Sequence, residues 1–116
     1  MVVISRSLFD AIKQVESGGD ENAVGDGGKA IGPYQIWKVY HDDAKAGGSW
    51  ENCKGPGSTA YSEKVIQAYM NRYATRARLG HDPTDEDIAR IHNGGPNGYK
   101  KQATVSYWEK VKNAMK

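Results

Sequence analysis

Glu16 occupies a position from which a side chain could act as an acid. It is the last acidic residue of an amphipathic segment that stops at Gly18 and Gly19. At a helix C-terminus beside apolar residues, desolvation and the negative end of the helix dipole both disfavour the carboxylate anion. A glutamate placed in this way can stay protonated near neutral pH and donate a proton. The alternative is an ordinary solvated glutamate at a frayed helix end, because most surface carboxylates do no chemistry.

A second carboxylate nearby would give Glu16 a chemical partner. Asp20, Glu21 and Asp26 lie in the polar, glycine-rich stretch that follows it. A neutral acid paired with an ionised acid is what glycoside hydrolysis requires. Asp26 is the favoured partner, because it lies on a glycine turn that can fold back over the helix end. Asp20 is only four residues from Glu16, and this position is more typical of a turn cap.

The helix that must position Glu16 has a start signal, an apolar face and a stop signal. Residues 7–10, Ser-Leu-Phe-Asp, resemble a capping box with Asp in place of Glu and predict the helix start. The apolar residues recur at the spacing of one helical face; they are Leu8, Ile12 and Val15. Gly18 and Gly19 supply the stop. Glu16 is therefore predicted to lie in the final turn, beside the buried stripe.

The rest of the chain predicts a mostly helical fold with one small, irregular β region. Residues 19–33 are rich in turn formers, and Asp26-Gly27 is a hairpin-type turn signal. After this region, a helix is predicted over 34–46 and a loop over 47–58, followed by a helix through Val65, Tyr69 and Tyr73 that ends at Gly80. A capping box at 84–87 then opens a short helix, and a tight loop is predicted over 92–98. The last predicted helix is capped by Thr104, and its inward residues are Val105, Trp108, Val111 and Met115. The predicted fold class is α+β, predominantly α, in a single domain over residues 1–116.

Composition limits the classes of protein to which this chain can belong. Its 116 residues suit one domain, and no apolar stretch is long enough to span a bilayer. The net charge of +2 is too small to argue for nucleic-acid binding. Cys53 is the single cysteine, so an intrachain disulfide and a zinc cluster are both excluded, and a buried apolar role is expected for it. We therefore expect no metal, no cofactor, no nucleic-acid partner and no membrane partner.

Five segments together resemble the invertebrate-type lysozymes, a family that includes the destabilase-like proteins of leeches. They are VESG, GPYQI, IQAYMNRY, ARIHNGGPNG and YWEKVK, and they cover most of the chain from about Glu16 to Lys112. The resemblance implies a lysozyme-superfamily α+β fold with a small irregular β element after the first helix. It also implies cleavage of the β-1,4 bond between N-acetylmuramic acid and N-acetylglucosamine in peptidoglycan, and some members of the family also cut chitin. Bacterial lysozyme inhibitors are the protein partners that it suggests.

The same resemblance assigns roles to individual residues. The family's catalytic glutamate lies in its ESG motif, which makes Glu16 the match, and its catalytic aspartate precedes GPYQI, which makes Asp26 the match. The residues on segments that line the family's sugar cleft are Tyr34, Gln35, His92 and Asn93. For Tyr34 and His92, ordinary core packing is an equally weighted alternative. Trp37 and Trp50 could stack on sugar rings or pack within the protein.

The chain departs from the family in its cysteines. Family cysteine positions are occupied by Gly19, Ile31, Ala44 and Tyr99. A secreted domain of this size normally relies on disulfides, so packing must compensate, and Ile31 and Tyr99 are apolar enough to fill the vacated space. The apolar run in the N-terminal MVVISRS is also too short for a signal peptide. We expect either a mature form with a starting Met or synthesis in the cytoplasm without this export route, with action on the cell wall.

Four functions remain in competition at this point. The leading prediction is a retaining muramidase with Glu16 as acid and Asp26 as its partner. A lytic transglycosylase would use one glutamate without an aspartate. A destabilase-like isopeptidase would need a nucleophile and a base, for which Ser49 and His92 are the available pair. A non-catalytic saccharide-binding module is disfavoured because both carboxylates are present.

Overall fold

The computed structural model, which describes residues 1–116, consists of six α-helices and a small antiparallel sheet. The helices are α1 (Arg6–Ser17), α2 (Lys38–Ala44), α3 (Ser58–Tyr73), α4 (Arg76–Leu79), α5 (Asp85–Gly94) and α6 (Val105–Ala114). The strands are β1 (Val24–Gly25), β2 (Ala30–Ile31) and β3 (Ile36–Trp37), hydrogen-bonded in that order. Short 3₁₀ turns cover Asp26–Gly28, Trp50–Cys53, Gly98–Lys100 and Gln102–Thr104. The predicted α+β class, predominantly α, is confirmed.

Helix α1 places Glu16 in its last turn, as predicted. The buried face of the helix is formed by Leu8, Phe9, Ala11 and Ile12. The helix ends at Gly18, whose φ of 68° is left-handed and favours glycine. The predicted capping box at residues 7–10 is wrong, because the hydroxyl of Ser5 accepts the hydrogen bond from the amide of Leu8 and caps the helix two residues earlier.

The β region follows α1 and carries Asp26 on its first turn. Strands β1 and β2 pair with Gly25 opposite Ala30, and β2 pairs with β3 through Ile31 opposite Ile36. Asp26 and Gly27 form the turn between β1 and β2 with positive φ values of 51° and 66°. This confirms the small irregular β element and its Asp-Gly turn.

Helix α2 is shorter than predicted. The helix expected over 34–46 begins only at Lys38, because Ile36 and Trp37 pair with β2 instead. Gln35 has a φ of 52°, a left-handed conformation that interrupts any helix. The segment before Lys38 therefore belongs to the sheet and its turn.

The next helix is broken where the sequence predicted continuity. Helix α3 ends at Tyr73, and Thr75 caps the separate helix α4, which ends at Gly80. The guanidinium of Arg78 donates to the carbonyls of Tyr73 and Pro96. These two hydrogen bonds connect the break between α3 and α4 to the segment that follows α5.

Helix α5 extends further than predicted. The capping box between Thr84 and Asp87 is confirmed. The helix then continues through Gly94 and stops at Gly95, which has a φ of 87°. The tight loop predicted over 92–98 is therefore wrong at its start, and His92 lies in the last helical turn.

Helix α6 packs against α1 and brings Tyr107 into the core. Thr104 precedes the helix but does not cap it with its side chain. Its hydroxyl instead accepts from Arg90 and lies within hydrogen-bonding distance of two carbonyls, those of Gly98 and Lys101, to either of which its single hydrogen can be donated. Val111 is buried as predicted, whereas Tyr107 is a buried residue that the predicted inward face omitted.

The core is continuous and includes residues at positions that the resemblance assigned to family cysteines. Ile31 and Ala44 are buried in it, and Tyr99 packs against it. Cys53 is fully buried there as a free thiol. None of the six helices has the length and apolar character needed to cross a membrane.

Candidate active site

A cavity of about 270 Å³ opens where the C-terminal ends of α1 and α5 face the β region. Its lining consists of Glu16, Asp26, Gln35, Trp37, His92 and Asn93. The structure thus brings together the two predicted catalytic carboxylates and three of the four residues predicted to line a sugar cleft. The chain positions these groups from three separate segments, so the folded chain is needed to form the site.

Glu16 is held through one of its two carboxyl oxygens. The phenol of Tyr107 donates a 2.8 Å hydrogen bond to Oε2 of Glu16, and Nε2 of His92 lies 3.4 Å from the same oxygen. The other oxygen, Oε1, receives no hydrogen bond from the protein. The Glu16 side chain is 19% exposed, which keeps it within reach of a ligand in the cavity.

Both ring nitrogens of His92 face polar groups of the protein. Nε2 lies 3.2 Å from the carbonyl oxygen of Tyr34 and 3.4 Å from the carboxylate of Glu16. Both neighbours are acceptors, so Nε2 must carry the proton. Nδ1 lies 3.0 Å from the hydroxyl of Tyr40. Burial raises the pKa of Tyr40 well above its usual value, so this hydroxyl keeps its proton and pairs with Nδ1 as a neutral phenol.

Tyr107 is a permanent hydrogen-bond donor to Glu16. Burial raises the pKa of Tyr107 well above its usual value, and the negative charge of Glu16 raises it further. The phenol therefore stays protonated at neutral pH. Sequence reasoning missed Tyr107, although it stands four residues before Val111 and so lies on the same face of α6.

Asp26 faces the cavity from an exposed and strained position. Its φ of 51° is unusual for a residue other than glycine, and its carboxylate makes no hydrogen bond or ion pair within the protein. Strained backbone of this kind tends to occur at functional sites. An exposed carboxylate also keeps most of its hydration, which contrasts with the partly enclosed Glu16.

Gln35 supports the turn that carries Asp26. Its Nε2 donates to the carbonyl of Gly32 over 2.9 Å. A Cβ at Gly25 would collide with Oε1 of Gln35, so the carboxamide lies directly against the residue that precedes Asp26. Gln35 therefore both lines the cavity and packs against the β1–β2 turn.

The two other acids considered as partners have structural contacts elsewhere. Asp20 accepts a hydrogen bond from the amide of Asn22, which is the turn-capping role expected for it. Glu21 accepts from the hydroxyl of Thr59. Neither lines the cavity.

Two aromatic residues that were considered for sugar binding lie away from the cavity. Tyr34 was expected to line the cleft, but it is fully buried and its hydroxyl donates to Glu63 over 2.6 Å. Trp50 donates from its indole nitrogen to the carbonyl of Ile36 and packs against the core. Trp37 does reach the cavity and is 40% exposed, so its ring is available for stacking.

The structure does not join Ser49 to His92. Both ring nitrogens of His92 are directed at other groups, namely Tyr40 on one side and Tyr34 and Glu16 on the other. Ser49 is exposed at the start of the 3₁₀ turn Trp50–Cys53 and does not line the cavity. No three His, Cys, Asp or Glu side chains are grouped so that they could hold a metal ion.

Comparison with known proteins identifies the family. A family model described as destabilase matches residues 5–114. This chain belongs to the destabilase family. Its fold matches that of lysozymes in the same group: the Meretrix lusoria lysozyme, solved in complex with Aeromonas hydrophila PliI, superposes with a TM-score of 0.82 at 34% identity, over 97% of this chain and 92% of that one. The lysozyme of Tapes japonica gives 0.80 at 33% identity, over 96% and 90% of the two chains.

Sequence relatives of this destabilase-family chain are named lysozymes. The invertebrate-type lysozyme of Ruditapes philippinarum is 36% identical over 112 residues, which are 92% of this chain and 79% of that protein. Lysozyme 1 of Crassostrea virginica is 40% identical over 83 residues, or 71% of this chain, but the match spans only 43% of that protein. The expected lysozyme fold is confirmed, and the chain is an enzyme of the lysozyme class by family and fold.

Proposed function

We propose that this chain hydrolyses the β-1,4 bond between N-acetylmuramic acid and N-acetylglucosamine in peptidoglycan, with retention of configuration. The observation that carries the proposal is the shared cavity, where a partly enclosed Glu16 and an exposed Asp26 face the same space. These are the two environments that a glycosidase needs, one for a proton donor and one for an ionised partner. The names of the relatives support the same activity.

In this mechanism Glu16 protonates the glycosidic oxygen of the leaving sugar. Asp26 attacks the anomeric carbon, or stabilises its positive charge, from the opposite face of the ring. Glu16, now ionised, takes a proton from water, and that water completes hydrolysis. The acid regains its proton in the last step, so the enzyme returns to its starting state.

Tyr107 and His92 orient the acid for this transfer. The phenol of Tyr107 donates to Oε2 of Glu16, and Nε2 of His92, which is hydrogen-bonded to the carbonyl of Tyr34, lies 3.4 Å from the same oxygen. The catalytic proton is therefore carried by Oε1, the oxygen that no protein donor contacts. Tyr40 holds His92 through the other ring nitrogen, so the hydrogen bond from Tyr107 and the fixed ring of His92 together confine this side of the carboxyl group.

Chitin is a second substrate within the same chemistry, because its β-1,4 bonds also join N-acetylated sugars. Bacterial inhibitor proteins are the expected protein partners. PliI of Aeromonas hydrophila forms a complex with the Meretrix lusoria lysozyme. We expect an inhibitor of this kind to bind the present chain at the cavity that contains Glu16 and Asp26.

Analysis of products tests the proposal against a lytic transglycosylase. Purified peptidoglycan is digested with wild type and with Glu16→Gln, and the fragments are analysed by mass. Reducing ends without loss of water support hydrolysis, whereas anhydro-muramic ends would assign the chain to the transglycosylases. Folded Glu16→Gln should be inactive, since the amide cannot donate the required proton. Turnover like that of wild type would eliminate Glu16 as the acid.

A further inference from the structure

A second cavity, of about 280 Å³, adjoins the candidate active site. The two cavities share Gln35, Trp37, His92 and Asn93 in their linings. Beyond these, the second cavity is lined by Val39, Tyr40, Asp43, Tyr69, Gly95 and Pro96. A ligand bound between Glu16 and Asp26 can therefore extend into it without leaving the protein surface.

The wall of the second cavity is apolar. The rings of Tyr40 and Tyr69 stack with centroids 3.7 Å apart and an interplanar angle of 3°. The hydroxyl of Tyr40 is already engaged by His92, so Tyr40 contributes ring surface. Val39 is 69% exposed on the same helix. This wall suits an alkyl chain better than a hydroxyl-rich group.

The cavity also contains one charged side chain, that of Asp43, beside the apolar wall. Asp43 follows Val39 by four residues on α2, so both lie on the same helix face. Asp43 is half-buried and forms no hydrogen bond or ion pair, whereas its neighbour Asp42 pairs with Lys38 at 2.9 Å. Neither Lys nor Arg lines the cavity. Burial, with Asp43 as a further cause, raises the pKa of Tyr69 to about 12, which agrees with a carboxylate close to that ring.

An apolar wall that ends in an unpaired carboxylate favours an alkyl chain that ends in a cation. Anionic groups are disfavoured by Asp43. Peptidoglycan carries a group of the favoured kind, because its peptide stem contains a diamino acid with an aliphatic side chain and a primary amine. The stem is attached to N-acetylmuramic acid, the sugar whose bond is cleaved in the proposed function, so it must lie beside the active site.

We propose that the second cavity binds the diamino acid side chain of the peptidoglycan stem, with Asp43 pairing its ammonium and the Tyr40–Tyr69 wall covering its alkyl chain. This proposal rests on the proposed function for the identity of the polymer. It makes Asp43 a specificity-determining residue that contacts the peptide part of the substrate. Asp43 takes no part in cleavage of the glycosidic bond, which Glu16 and Asp26 carry out.

Three forms of one glycan preparation test this assignment. Uncross-linked strands are used with free stem amines, with N-acetylated stem amines, and after removal of the stems by an amidase. Wild type should show a KM about tenfold lower on the free-amine strands than on the other two, with similar kcat, because one charged pair is gained. Asp43→Asn should raise the KM for free-amine strands to the level of the acetylated ones and leave the other two unchanged.

Asp42→Asn is the matched control. It removes the same charge from the same helix but lies outside the cavity, and it should behave as wild type on all three substrates. Equal KM values of wild type on free and acetylated strands would overturn the proposal. So would an equal loss by Asp43→Asn on all three substrates, since that result would mean that the cavity binds sugar.

Binding without cleavage separates this proposal from the proposed function. Calorimetry with a soluble stem peptide measures the cavity directly, and wild type should bind it about tenfold more tightly than Asp43→Asn. If this difference appears while no glycan is hydrolysed, the cavity assignment stands and the enzymatic proposal fails. If glycan is hydrolysed but the peptide binds both proteins equally, the cavity assignment fails alone.

Discussion

The phenol of Tyr107 donates a hydrogen bond of 2.8 Å to Oε2 of Glu16, and the two residues are 91 positions apart in the sequence. The contact joins the last helix of the chain to the end of the first. It makes the orientation of the proposed acid depend on the packing of α6 against α1, so the fold and the chemistry are coupled through one hydrogen bond.

Tyr107→Phe should lower kcat by about tenfold, because Glu16 loses a hydrogen bond that orients it. The ring remains, so the melting temperature should change little. Steady-state kinetics and thermal unfolding check both effects. Tyr99→Phe, whose hydroxyl contacts the carbonyl of Arg78 at 3.3 Å, serves as control. An unchanged kcat in folded Tyr107→Phe would contradict the orienting role.

The sequence predicted those parts of the site whose backbone conformation depends on residues adjacent in the chain. Glu16 could be placed in a final helical turn because Gly18 follows within two residues and supplies a left-handed stop. Asp26 could be placed on a turn because Gly27 accompanies it. Both inferences rest on adjacent residues, because the conformation of a turn is determined mainly by the few residues within it.

The rest of the site depends on contacts that a single sequence does not display. Tyr34 was predicted to face the cleft, but it is buried and its hydroxyl donates a hydrogen bond to Glu63, which is 29 residues away in the sequence. His92 was placed in a loop because of the glycines after it, yet α5 tolerates Gly94 and stops at Gly95. A Cβ at Gly94 would collide with the side chain of Thr104, which shows that tertiary packing, and not helix propensity, selects glycine there.

Asp26→Asn should lower the rate by orders of magnitude, because the amide can neither attack nor stabilise the sugar cation as an anion does. Asp20→Asn and Glu21→Gln are controls that change nearby acids outside the cavity, and they should retain activity. NMR in the first minutes of reaction should show initial β-product from the β-linked substrate. Initial α-product would mean that water attacks from the opposite face and that Asp26 acts as a base. Full activity in Asp26→Asn would contradict the role of Asp26 as the ionised partner.

Cys53 should be unreactive in the folded protein. It is fully buried, and burial raises the pKa of its thiol to about 11, so about one molecule in a thousand carries the reactive thiolate at pH 8. A thiol reagent at pH 8 should label the guanidinium-unfolded chain at once and the native chain only at the rate of opening. Reducing agent should leave the melting temperature unchanged. A large decrease under reductant would instead reveal an intermolecular disulfide.

The acid stability of the fold should depend on Glu63, which connects α3 to α1 and to the β region. Its two oxygens accept bonds of 2.7 and 2.6 Å from Arg6, and Oε2 also accepts from Tyr34. The hydrogen bonds from Arg6 hold the pKa of the Glu63 carboxyl below its usual value, ahead of a smaller opposing effect of burial. A carboxyl whose pKa is lowered by folding stabilises the native state above its unfolded pKa, and this stability is lost as the pH falls through the folded pKa.

Glu63→Gln should therefore be less stable than wild type at pH 7, by about 1 to 2 kcal/mol, since the bonds are charge-assisted but the Arg6 side chain is 61% exposed. Thermal unfolding of both proteins from pH 7 to pH 2 checks this. The difference in melting temperature should be constant at neutral pH, shrink once the pH drops below the ordinary glutamate range, and approach zero when Glu63 of wild type is protonated. Asp10→Asn removes the more exposed partner of Arg6 and should cost less at every pH. If the difference in melting temperature between Glu63→Gln and wild type does not change with pH, the charge of Glu63 does not contribute to stability, and its side chain stabilises the fold through packing alone.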